Sequence, residues 1–243
     1  MSYQCLCLAP LGYIDRARGI EGEMLAESDN SYHRAVALRT SSMLNVILGD
    51  GPKAEAAATQ LKRMATEEYR TLAQWGAECH GWAIAAQSAV DEGIAELSTV
   101  DGISLGGSTG FHCRDLSDSY LSGKDALKAL EWARRGLTKI DSSGERQMQA
   151  ELWRLTGEAL LLANPGDTPN AERSFRSAIE VAAGQRAKLF ELRATTSLAR
   201  LFAKENRRDE ARAMLADTYG WFTEGFDTEP LRNAKALLDE LSC

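Results

Sequence analysis

Pairs of small residues twelve positions apart recur along this chain of 243 residues, and they limit its fold more than any other feature. Three copies have this spacing: Ser42 and Ala54, Gly81 and Gly93, and Ala199 and Ala211. In each copy a turn-forming residue stands seven positions after the first small residue, at Gly49, Ser88 and Asn206. Two antiparallel helices that cross closely need a small side chain at the crossing and a short turn between them. The pattern therefore predicts a repeated pair of antiparallel helices.

Two other copies depart from this spacing. The interval from Gly157 to Ala171 is two residues longer, and it contains a loop in which Thr168 can cap a helix that Pro169 starts. The interval before Ala126 is about three residues short, so we expect an irregular unit there. Equivalent positions in six copies lie 33 to 45 residues apart: Ala17, Ala54, Gly93, Ala126, Ala171 and Ala211. Most of these intervals exceed the length of about 34 residues that is typical of the tetratricopeptide repeat, so longer helices are expected.

The whole pattern is tetratricopeptide-like, and it predicts an all-α fold in which antiparallel helix pairs form a right-handed superhelix, an α-solenoid. We expect a single helical repeat array over residues 1–243 with about six helix pairs. Its N-terminal unit is expected to be incomplete, because Gly12 stands at a turn position with little sequence before it. Residues 219–243 are expected to form a C-terminal capping segment, and the Gly- and Ser-rich residues 101–110 a long loop.

Charge and cysteine usage limit the partners and the compartment. The formal net charge is −7, from 28 basic and 35 acidic residues that are mixed along the chain. Because the sequence shows no basic stripe, we expect no nucleic-acid partner. It also contains no apolar run of about 18 residues, so no membrane span is expected. The five cysteines are scattered and form no Cys-x-x-Cys pair, which is typical of reduced thiols and predicts a cytoplasmic protein.

Few residues offer catalytic or metal chemistry. Metal-type ligands adjoin at Cys79-His80 and at His112-Cys113, and each pair would supply at most two ligands of a tetrahedral site. A structural histidine is the simpler interpretation of His80, because its position in the repeat is a packing position. The chain has three histidines and no Gly-x-Ser-x-Gly sequence, so we expect no enzyme activity, no cofactor and no metal.

The inner surface of a helical repeat array is lined by the first helix of each unit. In the tetratricopeptide register, the residues six before, three before and one after the small crossing residue face this surface. In the last two units these candidate partner-binding positions are Glu151, Arg154, Glu158, Arg193, Thr196 and Arg200. We expect Arg193 and Arg200 to hold a carboxylate or an acidic peptide segment by charge-assisted hydrogen bonds. The alternative is an intramolecular network with Glu151, Glu158 or Glu191.

The C-terminal part of the chain resembles a known family. The segments that carry the resemblance are residues 171–175 (AERSF), 191–194 (ELRA), 196–201 (TSLARL) and 219–228 (YGWFTEGFDT). They are similar to the C-terminal tetratricopeptide region of large bacterial signalling ATPases. In that family the region follows a nucleotide-binding ATPase module, often with an adenylate/guanylate cyclase or DNA-binding domain at the N-terminus. Residues 122–125 (SGKD) lack the first glycine and the Ser/Thr of a phosphate-binding loop, so the resemblance implies a sensing or assembly arm without those activities.

Together these features predict a non-catalytic interaction scaffold. It is expected to bind a peptide, a partner protein or a second copy of itself along its concave face. The alternative is a ligand-sensing regulatory arm related to the cyclase- and ATPase-linked signalling proteins. A continuous open channel would favour a peptide, whereas an enclosed aromatic pocket would favour a small ligand.

Overall fold

The computed structural model describes residues 1–64, 70–100 and 109–242. Within these ranges the chain forms thirteen α-helices and no strand, which confirms the all-α prediction for this part of the chain. The helices are α1 Ser2–Leu11, α2 Ile14–Ala26, α3 Ser31–Leu48, α4 Gly51–Met64, α5 Arg70–Ala86, α6 Val90–Leu97, α7 Thr109–Ser122, α8 Ala126–Ser143, α9 Gln149–Ala163, α10 Thr168–Gln185, α11 Lys188–Lys204, α12 Arg208–Gly220 and α13 Glu229–Ser242. Most of the loop predicted over residues 101–110 lies outside the described residues.

The helices form two layers. Each odd-numbered helix contacts the next odd-numbered one, from α1 to α13, and these seven are called the inner helices. Each even-numbered helix packs on the odd-numbered helices before and after it. Consecutive antiparallel helix pairs therefore stack side by side, as the repeat pattern predicts. None of the helices in the described ranges is long and apolar enough to cross a membrane.

The predicted turns and crossings have the expected local geometry. Gly49, Ser88 and Asn206 have φ angles of 77°, 84° and 63°, a left-handed conformation that reverses the chain after an inner helix. At the crossing of α5 and α6, a Cβ atom added to Gly81 would lie 2.8 Å from the carbonyl oxygen of Gly93. No larger side chain fits between these two backbones without moving them.

One copy that the sequence pattern describes poorly is regular in the structure. Ser117 is buried on α7, and its hydroxyl donates to the carbonyl oxygen of Ala129, twelve residues later, at 2.9 Å. Lys124, seven residues after Ser117, makes the turn with a φ of 62°. The expected irregular unit is therefore wrong: Ala129, rather than Ala126, is the crossing residue. In the longer copy, the N-cap of α10 is Asp167 and not Thr168, and helix α10 begins at Thr168.

The first helix pair has the same register. The Cys5 thiol donates to the carbonyl oxygen of Ala17 at 3.3 Å, again across twelve residues. Gly12 makes the turn between the helices with a φ of 97°. Cys5 and Ser117 thus occupy the small-residue position of the repeat, and each uses its short polar group to bond the helix that it crosses. Helix α1 nevertheless has only ten residues, against eighteen in α3.

The two ends of the chain contact each other. Helix α1 packs on α11 as well as on α3. The Arg18 guanidinium donates to both carboxylate oxygens of Asp227, at 2.8 and 2.9 Å. The rings of Tyr13 and Trp221 lie 5.8 Å apart. In an open repeat array each unit touches only its neighbours, so the contact of α1 with α11 closes the array from α1 to α11. Helix α13 packs on α11 and α12, within the segment predicted to be a cap.

Candidate functional site

A cavity of about 400 Å³ opens among the C-terminal halves of α5 and α7, the middle of α9 and α11, the start of α13, and the turn between α3 and α4. We call it the polar cavity. Four of the six residues that the repeat register places on the inner surface line it: Arg154, Arg193, Thr196 and Arg200. The walls also include Trp82, Asp118 and Glu229. Side chains from five inner helices, α5, α7, α9, α11 and α13, therefore meet in one space.

Glu151 lies beneath this cavity and organises two of its arginines. Its side chain is only 1% exposed, and it accepts hydrogen bonds from both Nε and Nη2 of Arg154. Its Oε2 also lies 3.1 Å from Nη2 of Arg193. Burial acts to raise the pKa of Glu151, but the two arginines outweigh it and lower the pKa below the ordinary carboxyl value. One buried carboxylate is thus shared between two guanidinium groups.

A second acid, Asp118, stands across the cavity. It accepts a hydrogen bond from the indole nitrogen of Trp82 at 2.9 Å and lies 3.9 Å from Nη2 of Arg154. Burial of the Arg193 guanidinium lowers its pKa to about 10; Glu151 opposes this change, while the nearby Arg154 adds to it. The positive charge of Arg193 is therefore incompletely compensated. An anionic group entering the cavity would stabilise it.

The remaining predicted residues differ in their surroundings. Thr196 is buried, and its hydroxyl donates to the carbonyl oxygen of Leu192. Glu158 accepts a hydrogen bond from the Ser197 hydroxyl, with 2.6 Å between the two oxygens. Arg200 is exposed at the mouth of the cavity and makes no ion pair within the part of the chain that the structure describes. The intramolecular network left open by the sequence thus forms around Glu151, whereas Arg200 stays available to a partner. A partner-binding role for the six residues stays a prediction.

Sequence reasoning missed the charged residues of α7. Arg114 is 2% exposed, pairs with Asp115 and lies over the ring of Trp82, with the guanidinium carbon 5.2 Å from the ring centroid. Asp118 was missed with it. With Ser117 as the small crossing residue, Arg114 and Asp118 fall three before and one after it, on the inner surface. Recognising Ser117 would have found both.

The two Cys-His pairs do not form a common site. Nδ1 of His112 lies 3.5 Å from Oε1 of Glu78, whereas His80 pairs with Glu96 at 2.5 Å. Cys79 and Cys113 are both buried. Across residues 1–64, 70–100 and 109–242, no three His, Cys, Asp or Glu side chains are grouped so that they would hold a metal ion.

Comparison of the sequence with protein-family models finds no match, and comparison with curated proteins finds no significant relative. The interpretation of the polar cavity therefore depends on its own geometry and charges.

Proposed function

We propose that this chain is a non-catalytic binding module that receives an acidic group of a partner protein or peptide in the polar cavity. The observation that carries the proposal is the arrangement of three arginines around one open space. Arg154 and Arg193 share a single buried carboxylate, and Arg200 has no acidic partner among the described residues. A carboxylate placed between Arg193 and Arg200 would accept charge-assisted hydrogen bonds from both.

The closed inner surface favours the end of a peptide over an extended strand. Nη2 of Arg114 donates to the carbonyl oxygen of Val46 at 3.3 Å, and Nη1 of Arg193 lies 3.5 Å from that of Ile47. These contacts join the C-terminal end of α3 to α7 and α11 across the inner face. The side chains of the protein itself thus occupy the path that a long peptide would follow. A free C-terminal carboxylate or a single acidic side chain fits the remaining space.

A second candidate is a ligand-sensing regulatory arm. The volume of about 400 Å³ falls within the range of small-molecule sites, roughly 300–1,000 Å³. Under either candidate we propose that the helix pairs are tetratricopeptide units in a right-handed superhelix, from a cytoplasmic, bacterial signalling protein. The resemblance of residues 171–241 to the repeat region of signalling ATPases supports this assignment.

The test uses hexapeptides that end in a free carboxylate, each compared with the same peptide ending in a carboxamide. Fluorescence anisotropy would measure binding to the wild type and to Arg193→Gln, Arg200→Gln and Arg212→Gln. Arg212 is exposed on the even-numbered helix α12, which is not one of the inner helices, so Arg212→Gln controls for the loss of one positive charge. We expect amidation and either cavity substitution to weaken the best peptide about tenfold or more, since each removes a charge-assisted hydrogen bond.

Equal binding of acid and amide forms would contradict the role of the arginines. If no peptide binds, but small dicarboxylates raise the melting temperature of the wild type and not of Arg200→Gln, the ligand-sensing candidate is favoured.

A further inference from the structure

A second cavity, of about 590 Å³, lies at the opposite end of the inner helices. It is bounded by α1, by the middle of α3 and by the N-terminal ends of α7, α9 and α11. We call it the apolar cavity, because most of its wall is hydrocarbon, including Leu6, Leu11, Met43, Phe111, Met148 and Phe190. It shares no lining residue with the polar cavity. Its chemistry is therefore independent of the function proposed above.

One cation in this apolar wall, Arg39, pairs with no acid among the described residues. The guanidinium carbon of Arg39 lies 4.2 Å from the centroid of the Trp75 ring, and Nε of Arg39 is buried without a hydrogen-bond partner. Within the described residues Arg39 makes no ion pair. A half-buried cation without an acid loses hydration that only the aromatic ring replaces, so an incoming anion would be attracted to it.

Two helix ends add to this preference for negative charge. The N-caps of α9 and α11 are Met148 and Ala187, and both residues line the apolar cavity. Neither helix has a side-chain hydrogen bond at its N-cap. The first amide of each helix donates to a preceding carbonyl oxygen, of Arg146 or of Arg186, and the next N–H groups leave partial positive charge near the cavity. The wall also carries one acid, Glu145, and a second cation, Arg146.

We propose that the apolar cavity binds a small amphipathic acid, in which an apolar body fills the hydrocarbon wall and one carboxylate pairs with Arg39. The cavity volume lies within the range typical of small-molecule sites, about 300–1,000 Å³. An uncharged molecule with the same apolar body would bind more weakly, because it would leave Arg39 without an acid.

Cys7 provides a direct readout of occupancy. It is exposed and lines the apolar cavity, whereas Cys5, Cys79 and Cys113 are buried. Burial raises the pKa of Cys5 and of Cys113 to about 11, so these thiols form little of the reactive thiolate at neutral pH. In a Cys243→Ser background, alkylation by N-ethylmaleimide therefore reports on Cys7. We expect decanoate to slow this alkylation, and decan-1-ol to slow it much less at the same concentration.

Titration calorimetry with decanoate and decan-1-ol tests the role of Arg39. We expect Arg39→Gln to weaken decanoate about tenfold or more and to leave decanol unchanged. Arg135→Gln is the matched control, because Arg135 also stacks on a tryptophan, Trp132, but lies outside the cavity. A second variant, Cys7→Trp, fills the cavity and should weaken both ligands without touching Arg39.

Three results would overturn the proposal. The first is equal affinity of the wild type for decanoate and decanol, and the second is undiminished decanoate binding by Arg39→Gln or by Cys7→Trp. The third is the absence of any decanoate binding. None of these outcomes bears on the polar cavity, where peptide binding is tested with separate variants.

Discussion

Arg39 and Arg154 occupy the same position in two repeats, three residues before the small crossing residue, yet among the described residues only Arg154 pairs with an acid. The difference comes from the residue three positions earlier on the same helix. Ahead of Arg154 it is Glu151, whose carboxylate accepts from the guanidinium, whereas ahead of Arg39 it is Val36. In the polar cavity Arg154 thus has a counter-charge on its own helix, whereas Arg39 in the apolar cavity has none among the described residues. One repeat position can serve structure in one unit and recognition in another.

The largest expected effect comes from removing the carboxylate of Glu151, which pairs with Arg154 in the polar cavity. Glu151→Gln keeps the shape of the side chain but leaves Arg154 and Arg193 buried without their shared carboxylate. We expect the free energy of unfolding to fall by about 3–5 kcal/mol, measured by urea denaturation. Glu158→Gln is the control, because Glu158 bonds only a serine hydroxyl and its loss should cost about 1 kcal/mol or less. Equal losses of unfolding free energy for the two variants would mean that the buried charge of Glu151 does not account for its effect on stability.

A second test exchanges each arginine for methionine. Arg154→Met removes a cation that Glu151 and Asp118 both neutralise, so we expect a loss of about 2–4 kcal/mol. Arg39→Met removes an unpaired cation from an apolar wall, and the free energy of unfolding should change by about 1 kcal/mol or less, in either direction. A loss of similar size in the two variants would remove the distinction between the two sites.

A third test introduces an acid beside Arg39, at the position that Glu151 holds relative to Arg154. Val36→Glu places an acid three residues before Arg39, as Glu151 stands before Arg154. The new carboxylate should compete with decanoate and weaken it about tenfold, as measured by calorimetry. Val36→Gln has the same length without the charge and should leave the affinity near that of the wild type. If Gln weakens decanoate as much as Glu does, the effect is steric.

The smallest effect is expected at the surface contact between the chain ends. The hydrogen bond from Arg18 lowers the pKa of Asp227 below its ordinary value, so the contribution of this pair is present at neutral pH and lost as the pH falls through the folded-state pKa. Asp227→Asn should cost about 0.5 kcal/mol at pH 7, and its difference from the wild type should shrink as the pH falls below the ordinary carboxyl pKa of about 4. Asp217→Asn removes a carboxylate at an exposed position of α12. It controls for effects of acid on stability that do not depend on the pair of Arg18 and Asp227. A difference that persists in acid would point to a cause other than this pair.

Spacing rules predicted the parts of this molecule that depend on local sequence. They gave the helix pairs, the turns at Gly49, Ser88 and Asn206, and four of the residues that meet in the polar cavity. They failed at Cys5 and Ser117, because neither residue was recognised as the small crossing residue of its unit. The charged residues of α7 were lost with that register.

Spacing rules cannot predict contacts between residues that are far apart in the sequence. The bonds between Arg18 and Asp227 span 209 residues, and no local pattern marks either residue. Whether an array closes depends on the small rotation between successive units, which accumulates along the chain. The sharing of Glu151 by two arginines likewise depends on how α9 and α11 approach each other, which spacing alone does not define.

The contact between the two ends changes how such a protein unfolds. An open array behaves as a one-dimensional series of coupled units, in which terminal repeats fray first and at little cost. Here α1 packs on both α3 and α11, so it cannot detach without losing contacts at both of its sides. We therefore expect α1 to show hydrogen-exchange protection close to that of the central helices. Destabilisation of either end should spread around the closed array, and unfolding should follow a single cooperative transition.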